Sequence, residues 1–258
     1  MKILMIGDVT SPAAAKHLAG VLPTARRRLE ADFVTVNVEN AGFIIGASPE
    51  TAQLLLSSGA DALTGGNHTM QNYAMLEAIG RMSSVLRPAN YPQGAPGNGY
   101  TVIKAKNGMR VLVMSLLGRV NIEPPLSSPF EAADRILAAA RGRYDLAIVD
   151  FHAEATGEKT ALGYHLDGRA AAVCGTHTHV PTADERILPE GTAYITDIGM
   201  CGAEDGILGM SREDVVERYL TAINHKLHPA EGRIVCQGVL IEVNDATGRA
   251  TDIRRITL

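Results

Sequence analysis

An α/β fold of alternating strands and helices, ending in a strand-rich C-terminal third, is predicted by three features of the 258-residue chain. Short apolar runs recur with almost no polar interruption, the pattern of strands covered on both faces. The stretches between them carry helix start signals, a Ser followed by Pro, as at Ser11-Pro12 and Ser48-Pro49. Beyond residue 183, strand-like runs bracket Glu190-Gly191 and Thr247-Gly248. There is no internal repeat, low-complexity run or linker, so a single domain over 1–258 is expected.

Residues 2–7 form the first strand, which ends at Gly7-Asp8-Val9, and residues 12–30 form an Ala- and Arg-rich helix. Residues 33–38 are the second strand, delivering Glu39-Asn40, and an apolar loop, 42–46, follows. Ser48 caps a helix with Pro49 at its first position, ending near Gly59. Residues 60–64 make a third strand before Gly65-Gly66-Asn67-His68, whose glycines let the backbone turn sharply. A helix over 70–80 and a loop over 84–99 precede a hairpin, 100–104 and 110–116, across Asn107-Gly108. An irregular stretch, 118–129, a short helix, 130–142, and a buried strand, 146–151, lead to His152 and Glu154. The polar segment 155–159 is expected near the site mouth, with a helix over 160–169. After the central strand come two strands within 183–196, the carboxylate Asp197, a helix over 211–226 capped by Ser211, and closing strands 233–243 and 251–257.

A chain 46% hydrophobic and 20% charged fits a globular core and excludes disorder. Its net charge of −4 offers no general basic footprint for a nucleic-acid backbone, and Arg26-Arg27-Arg28 reads as a solvated helix face. No apolar run approaches the ~20 residues of a membrane span, and the N-terminus shows no cleavage site. A cytoplasmic protein is therefore expected. Three cysteines are too few and scattered for a disulfide framework or a thiolate zinc site, and Cys174 reads as a small core residue.

The chemistry centres on Val173-Cys174-Gly175-Thr176-His177-Thr178-His179. In an extended segment residues i and i+2 point to one side, so both imidazoles can face one point. Further donors stand at other strand ends: Asp8, Glu39, Asn40, Asn67, His68 and His152. In open α/β sheets ligands bind beyond the carboxyl ends of strands. The donors are too many for one four-coordinate zinc, and too nitrogen-rich for magnesium or calcium. They suit two metals bridged by a carboxylate, with iron, manganese or zinc as candidates, and no thiolate takes part. Two metals about 3.5–4 Å apart hold a bridging hydroxide as nucleophile and neutralise charge on a phosphoryl group. His68 is then free to donate a proton to the leaving oxygen or to stabilise the transition state.

Gly7-Asp8, Asn37-Val38-Glu39-Asn40, Gly66-Asn67-His68, Asp150-Phe151-His152-Ala153-Glu154 and Gly175-Thr176-His177-Thr178-His179 together resemble the YmdB-like branch of the calcineurin-like metallophosphoesterases. So do the segments 87–92, 117–119 and 192–200, and the likeness covers nearly the whole chain. The resemblance implies a four-layer α/β/β/α sandwich and a dinuclear, iron-containing centre. One metal would take Asp8, Glu39 and His179, with Asn40 close by. The other would take Glu39, Asn67, His152 and His177, with His68 as the catalytic residue. The implied activity is hydrolysis of cyclic nucleotides such as 2′,3′-cyclic AMP. The expected partners are a small phosphate ester or cyclic nucleotide, RNA ends, and other copies of the chain in a homo-oligomer. The branch's regulatory associations keep a second reading open, a metal-containing nucleotide- or RNA-binding protein with little turnover. The superfamily's Asp-x-His motif is absent after Asp8, and Glu39 stands where a bridging Asp is more usual. Ser11-Pro12-Ala13 and Met70 depart from the branch's Gly-containing turn and Trp, which bears on substrate preference.

Overall fold

The computed structural model describes residues 1–42 and 45–258. The apolar loop read at 42–46 therefore lies partly outside the described residues. Strands are numbered along the chain. One sheet holds β1 (Lys2–Ile6), β2 (Asp8–Val9), β3 (Phe33–Asn37), β4 (Ala62–Thr64), β11 (Met200–Ala203), β12 (Ile234–Val243) and β13 (Ala250–Thr257). Its order is β2-β11-β12-β1-β3-β4, with β13 also on β12. The other sheet holds β5 (Tyr100–Lys104), β6 (Arg110–Leu117), β7 (Leu146–His152), β8 (Ala172–Thr176), β9 (Arg186–Ile187) and β10 (Ala193–Ile195), ordered β5-β6-β7-β8-β10-β9.

Strand periodicity turns these sheets into four layers. Side chains alternate along a strand, so a run apolar at every position must be covered twice. In β1, Leu4 and Ile6 face one way, towards Leu18 and Leu22 of α1 (Pro12–Arg28) and Leu55 of α2 (Pro49–Ser57). Ile3 and Met5 face the other way and join Val113, Ile148 and Cys174 of the second sheet. On that sheet's far side, Met114, Val149 and Val173 meet Ile136 of α4 (Pro129–Ala139) and Leu162 of α5 (Thr156–His165). The result is the expected α/β/β/α sandwich. β1, β3 and β4 are mutually parallel, as are β6, β7, β8 and β10, so each sheet brings several carboxyl ends to one edge.

Several element boundaries differ from those read in the sequence. The helix expected over 70–80 is broken, because Asn72 accepts the Met75 N–H at 3.1 Å and starts α3 (Tyr73–Ala78). α5 begins at Thr156, so 155–159 is largely its first turn. The helix after Ser211, α6 (Arg212–Thr221), stops where Ala222 takes a left-handed conformation, φ 55°. The two-residue β2 pairs in parallel with β11, an addition too short to leave a periodic signal. Cys201 and Cys236, opposite each other on β11 and β12, form a disulfide. That corrects the expectation of unpaired cysteines, and the 35-residue separation matches no spacing motif. Cys174 is buried and free, as expected. Among the described residues no helix is long and apolar enough to cross a membrane.

Candidate active site

The first sheet supplies mostly oxygen. Glu39, just past β3, is 1% exposed. It accepts the backbone N–H groups of Gly66 and His68, and the Thr69 hydroxyl at 3.3 Å. Burial outweighs these bonds and pushes its carboxyl up to about 8. Asp8 is fully buried; its Oδ2 accepts the His177 N–H at 3.0 Å, while Oδ1 has no hydrogen-bond partner. Burial first, then the nearby Asp197, holds this carboxyl well above the usual range. Asn40 Oδ1 lies 2.8 Å from His68 Nδ1. Since an amide oxygen only accepts, Nδ1 carries the proton and Nε2 of His68 is left bare. Burial lowers the pKa of that imidazole.

The second sheet supplies nitrogen. His152 ends β7 with its side chain fully buried. Its Nδ1 lies 3.0 Å from Thr176 Oγ1, and that hydroxyl donates to Asp150 Oδ1 at 2.7 Å. The hydroxyl proton is thereby committed, so His152 Nδ1–H is the donor and Nε2 is bare. Asp150 also accepts from Thr64 and from Asn37, the latter at 2.9 Å, so four residues from both sheets, Thr176, Asp150, Thr64 and Asn37, lock one ring. His177 Nε2 lies 3.1 Å from the Glu154 carboxylate, and its Nδ1 lies 3.1 Å from His152 Nε2. His179 donates Nδ1–H to the Leu208 carbonyl at 3.0 Å, leaving Nε2 bare. Burial, as the largest cause in each, lowers the pKa of all three imidazoles.

The i, i+2 argument for the two histidines of the loop is corrected by the structure. β8 stops at Thr176, and His177 and His179 lie beyond it with φ of 103° and 63°. Such left-handed backbone costs a non-glycine residue about 1–3 kcal/mol. The turn separates the rings: His177 meets His152 edge-on, centroids 4.7 Å apart, while His179 reaches towards Leu208. A glycine makes the meeting of the two sheets possible. A Cβ on Gly66 would fall 2.1 Å from His152 Cδ2.

The residues fit a metal by their chemistry. Among the described residues no three His, Cys, Asp or Glu side chains form a ready-made cage. His177 Nδ1 nevertheless points at the bare His152 Nε2, at 3.1 Å. The Asn67 oxygen also lies 3.1 Å from His152 Nε2, and Glu39 Oε1 lies 3.7 Å away. An amide or carboxylate oxygen facing a bare imidazole nitrogen repels it unless a cation joins them. The orphaned Asp8 Oδ1 is a further donor without a partner. Asp8, Glu39, Asn40, Asn67, His68, His152 and His177 are thus tied together by direct contacts, and His179 adjoins them through the loop.

Sequence reasoning missed the supporting residues Thr64, Asp150, Thr176 and Lys159. Asp150 left a signal, a carboxylate inside an otherwise apolar strand. Lys159 was placed at the site mouth, yet it is 1% exposed and bonds Asp197 at 3.0 Å. Asp197 is an acceptor behind the histidine loop.

The whole chain compares closely with known proteins. The family described as YmdB-like protein matches residues 4–256. A 2′,3′-cyclic-nucleotide 2′-phosphodiesterase of Bacillus subtilis (strain 168) is 45% identical over 258 residues, spanning 100% of this chain and 97% of the relative. A crystal structure of a hypothetical protein from Thermus thermophilus superposes with a TM-score of 0.92 at 36% identity, covering 100% of this chain and 99% of that one. A novel phosphatase from Mycoplasma pneumoniae gives a TM-score of 0.92 at 30% identity, covering 100% and 93%.

Proposed function

Because the chain belongs to the YmdB-like protein family, we propose that it is a metal-dependent phosphodiesterase that opens cyclic nucleotides such as 2′,3′-cyclic AMP. The observation that carries the metal is the convergence of His177 Nδ1 and Asn67 Oδ1 on the bare His152 Nε2, each at 3.1 Å, beside the unpartnered Asp8 Oδ1. The name of the Bacillus subtilis relative supports the choice of a cyclic diester.

On this reading the ligands are Asp8, Glu39, Asn40, Asn67, His152, His177 and His179, holding a pair of metal ions. Mixed nitrogen and oxygen donors suit iron first, with manganese or zinc as alternatives. When bound, the metals supply Lewis-acid neutralisation of phosphoryl charge and an acidified water. Glu39 would serve both ions on this reading; its Oε1 lies 3.3 Å from His68 Nδ1 and 3.7 Å from His152 Nε2. Asp150 and Thr176 hold the His152 ring, and Glu154 and Leu208 hold the other two. His68 is tied at Nδ1 by Asn40, so Nε2 is the atom that exchanges a proton with the leaving oxygen. With its pKa lowered by burial, His68 would be neutral at neutral pH, and its protonated fraction would set the acid role.

The test is hydrolysis of 2′,3′-cyclic AMP beside a phosphomonoester, by protein loaded with iron or manganese and by the chelated protein. Metal-dependent opening of the diester is expected. Asn67→Ala should lose metal and activity together, whereas His68→Ala should lose activity with metal retained. Tight nucleotide binding by metal-replete protein without turnover of either ester would replace this reading with the regulatory one.

A further inference from the structure

The site contains a buried ion pair that no step above uses. Lys159 on α5 and Asp197 beyond β10 have side chains 1% and 0% exposed, with Nζ 3.0 Å from Oδ2. That same Oδ2 accepts the Thr178 N–H at 3.0 Å and the Thr178 hydroxyl at 2.8 Å. Asp197 Oδ1 accepts the Gly199 N–H at 2.8 Å. Thr178 sits between His177 and His179, the two residues whose backbone is left-handed. The stem of Lys159 reaches the pair by lying against Gly175, where a Cβ would stand 3.0 Å from Lys159 Cδ and 1.8 Å from the Thr196 carbonyl oxygen.

A carboxylate this deeply buried that accepts three donors on one oxygen calls for a countercharge. Lys159 is that countercharge. A turn that runs against backbone preference persists only where its surroundings over-determine it. Asp197 grips the turn at its middle residue, while Asp8 grips it at the His177 N–H.

We propose that Lys159 and Asp197 are positioning residues, which clamp the His177-Thr178-His179 turn so that both imidazoles are presented to metal. The proposal rests on the reading of these histidines as ligands. Chelator-stripped protein should be titrated with Mn²⁺ by calorimetry, with thermal melting as the control for folding. Thr178→Val removes only the hydroxyl donor from a half-buried side chain, so it should melt with the wild type yet bind Mn²⁺ about tenfold more weakly. Thr178→Ser restores the donor and should restore the affinity. Lys159→Met should weaken Mn²⁺ binding about 10–100-fold. If Lys159→Met fails to fold, the Thr178 pair decides alone. Wild-type affinity in Thr178→Val, and in a folded Lys159→Met, would overturn the clamp while leaving the metal site standing. A wild type that takes up no Mn²⁺ would instead remove the functional reading, and the clamp with it.

Discussion

The two sheets contribute unlike halves to the cleft where they meet. The first brings Asp8, Glu39, Asn40 and Asn67, with His68 its only imidazole; the second brings His152, His177 and His179. Burial acts on the halves with opposite sign, raising the pKa of Asp8 and Glu39 and lowering that of the histidines. Each half, left alone, drifts towards neutrality. The halves are also held differently. Backbone N–H groups of the Gly66–His68 turn secure Glu39, whereas each imidazole of the second sheet is secured by a side chain or carbonyl on its far nitrogen. A cation suits both halves at once, because ionised carboxylates and neutral imidazoles are the forms that ligate.

The largest expected effect comes from forcing the halves apart. In Gly66→Ala the new Cβ would stand 2.1 Å from His152 Cδ2, so ring or turn must shift. A displacement on the order of 1 Å can cost about 100-fold in rate, and kcat/KM for the cyclic nucleotide should fall by that much. Wild-type kinetics would break the claim that this contact aligns the sheets.

The next effect concerns metal-stripped protein and acidity. Glu39 sits at about 8 in the folded chain against 4.5 normally, so between these values the folded state holds a proton that the unfolded chain has released. Stability must then fall as pH rises towards 8. Asp8 and Asp150 act in the same direction. The depressed imidazoles act oppositely below their ordinary 6.5, where the unfolded chain takes up protons that the folded rings refuse. Melting temperature should therefore decline from pH 6.5 to 8 and also on the acid side. Asp8→Asn should shrink the alkaline decline, since it removes one carboxyl whose folded form resists ionisation. Added Mn²⁺ should do likewise. A flat profile in the stripped wild type would show that burial does not set these groups.

The smallest effect sharpens the nitrogen side. Glu154 is 46% exposed, so its hold on His177 Nε2 is screened. Glu154→Gln keeps an acceptor and loses the charge, and Mn²⁺ affinity measured by calorimetry should drop less than tenfold. A loss as large as that of Lys159→Met would reverse the ranking of the two supports.

Most of the donors were legible because each follows an apolar run. A polar residue directly after a doubly covered strand has no periodic reason to be there, and Asp8, Glu39, Asn67, His152 and His177 share that signature. The strand order was not legible, since β2 and β11 are short and their pairing joins residues about 190 positions apart. Nor was the histidine turn, because the contacts at its backbone come from Asp8, 169 positions away, and from Asp197 on a later segment, and neither leaves a local signal of positive φ at His177 and His179. Lys159 escaped for a local reason. It sits one turn before Leu162 and Gly163 on the buried stripe of α5, but the start of that helix was placed four residues late.

The placing of Asp8 also has a temporal consequence. β1 lies between β3 and β12, and β2 leans on β11. A chain emerging from the ribosome will have exposed every donor once His179 is made, yet the strands that seat the first carboxylate, 200–203 and 234–243, come later. Pairings this remote in sequence form slowly. The newborn protein therefore passes through an interval in which all the residues of the site exist and the site does not, and on the proposed reading any metal would be taken up only after the closing strands are in place.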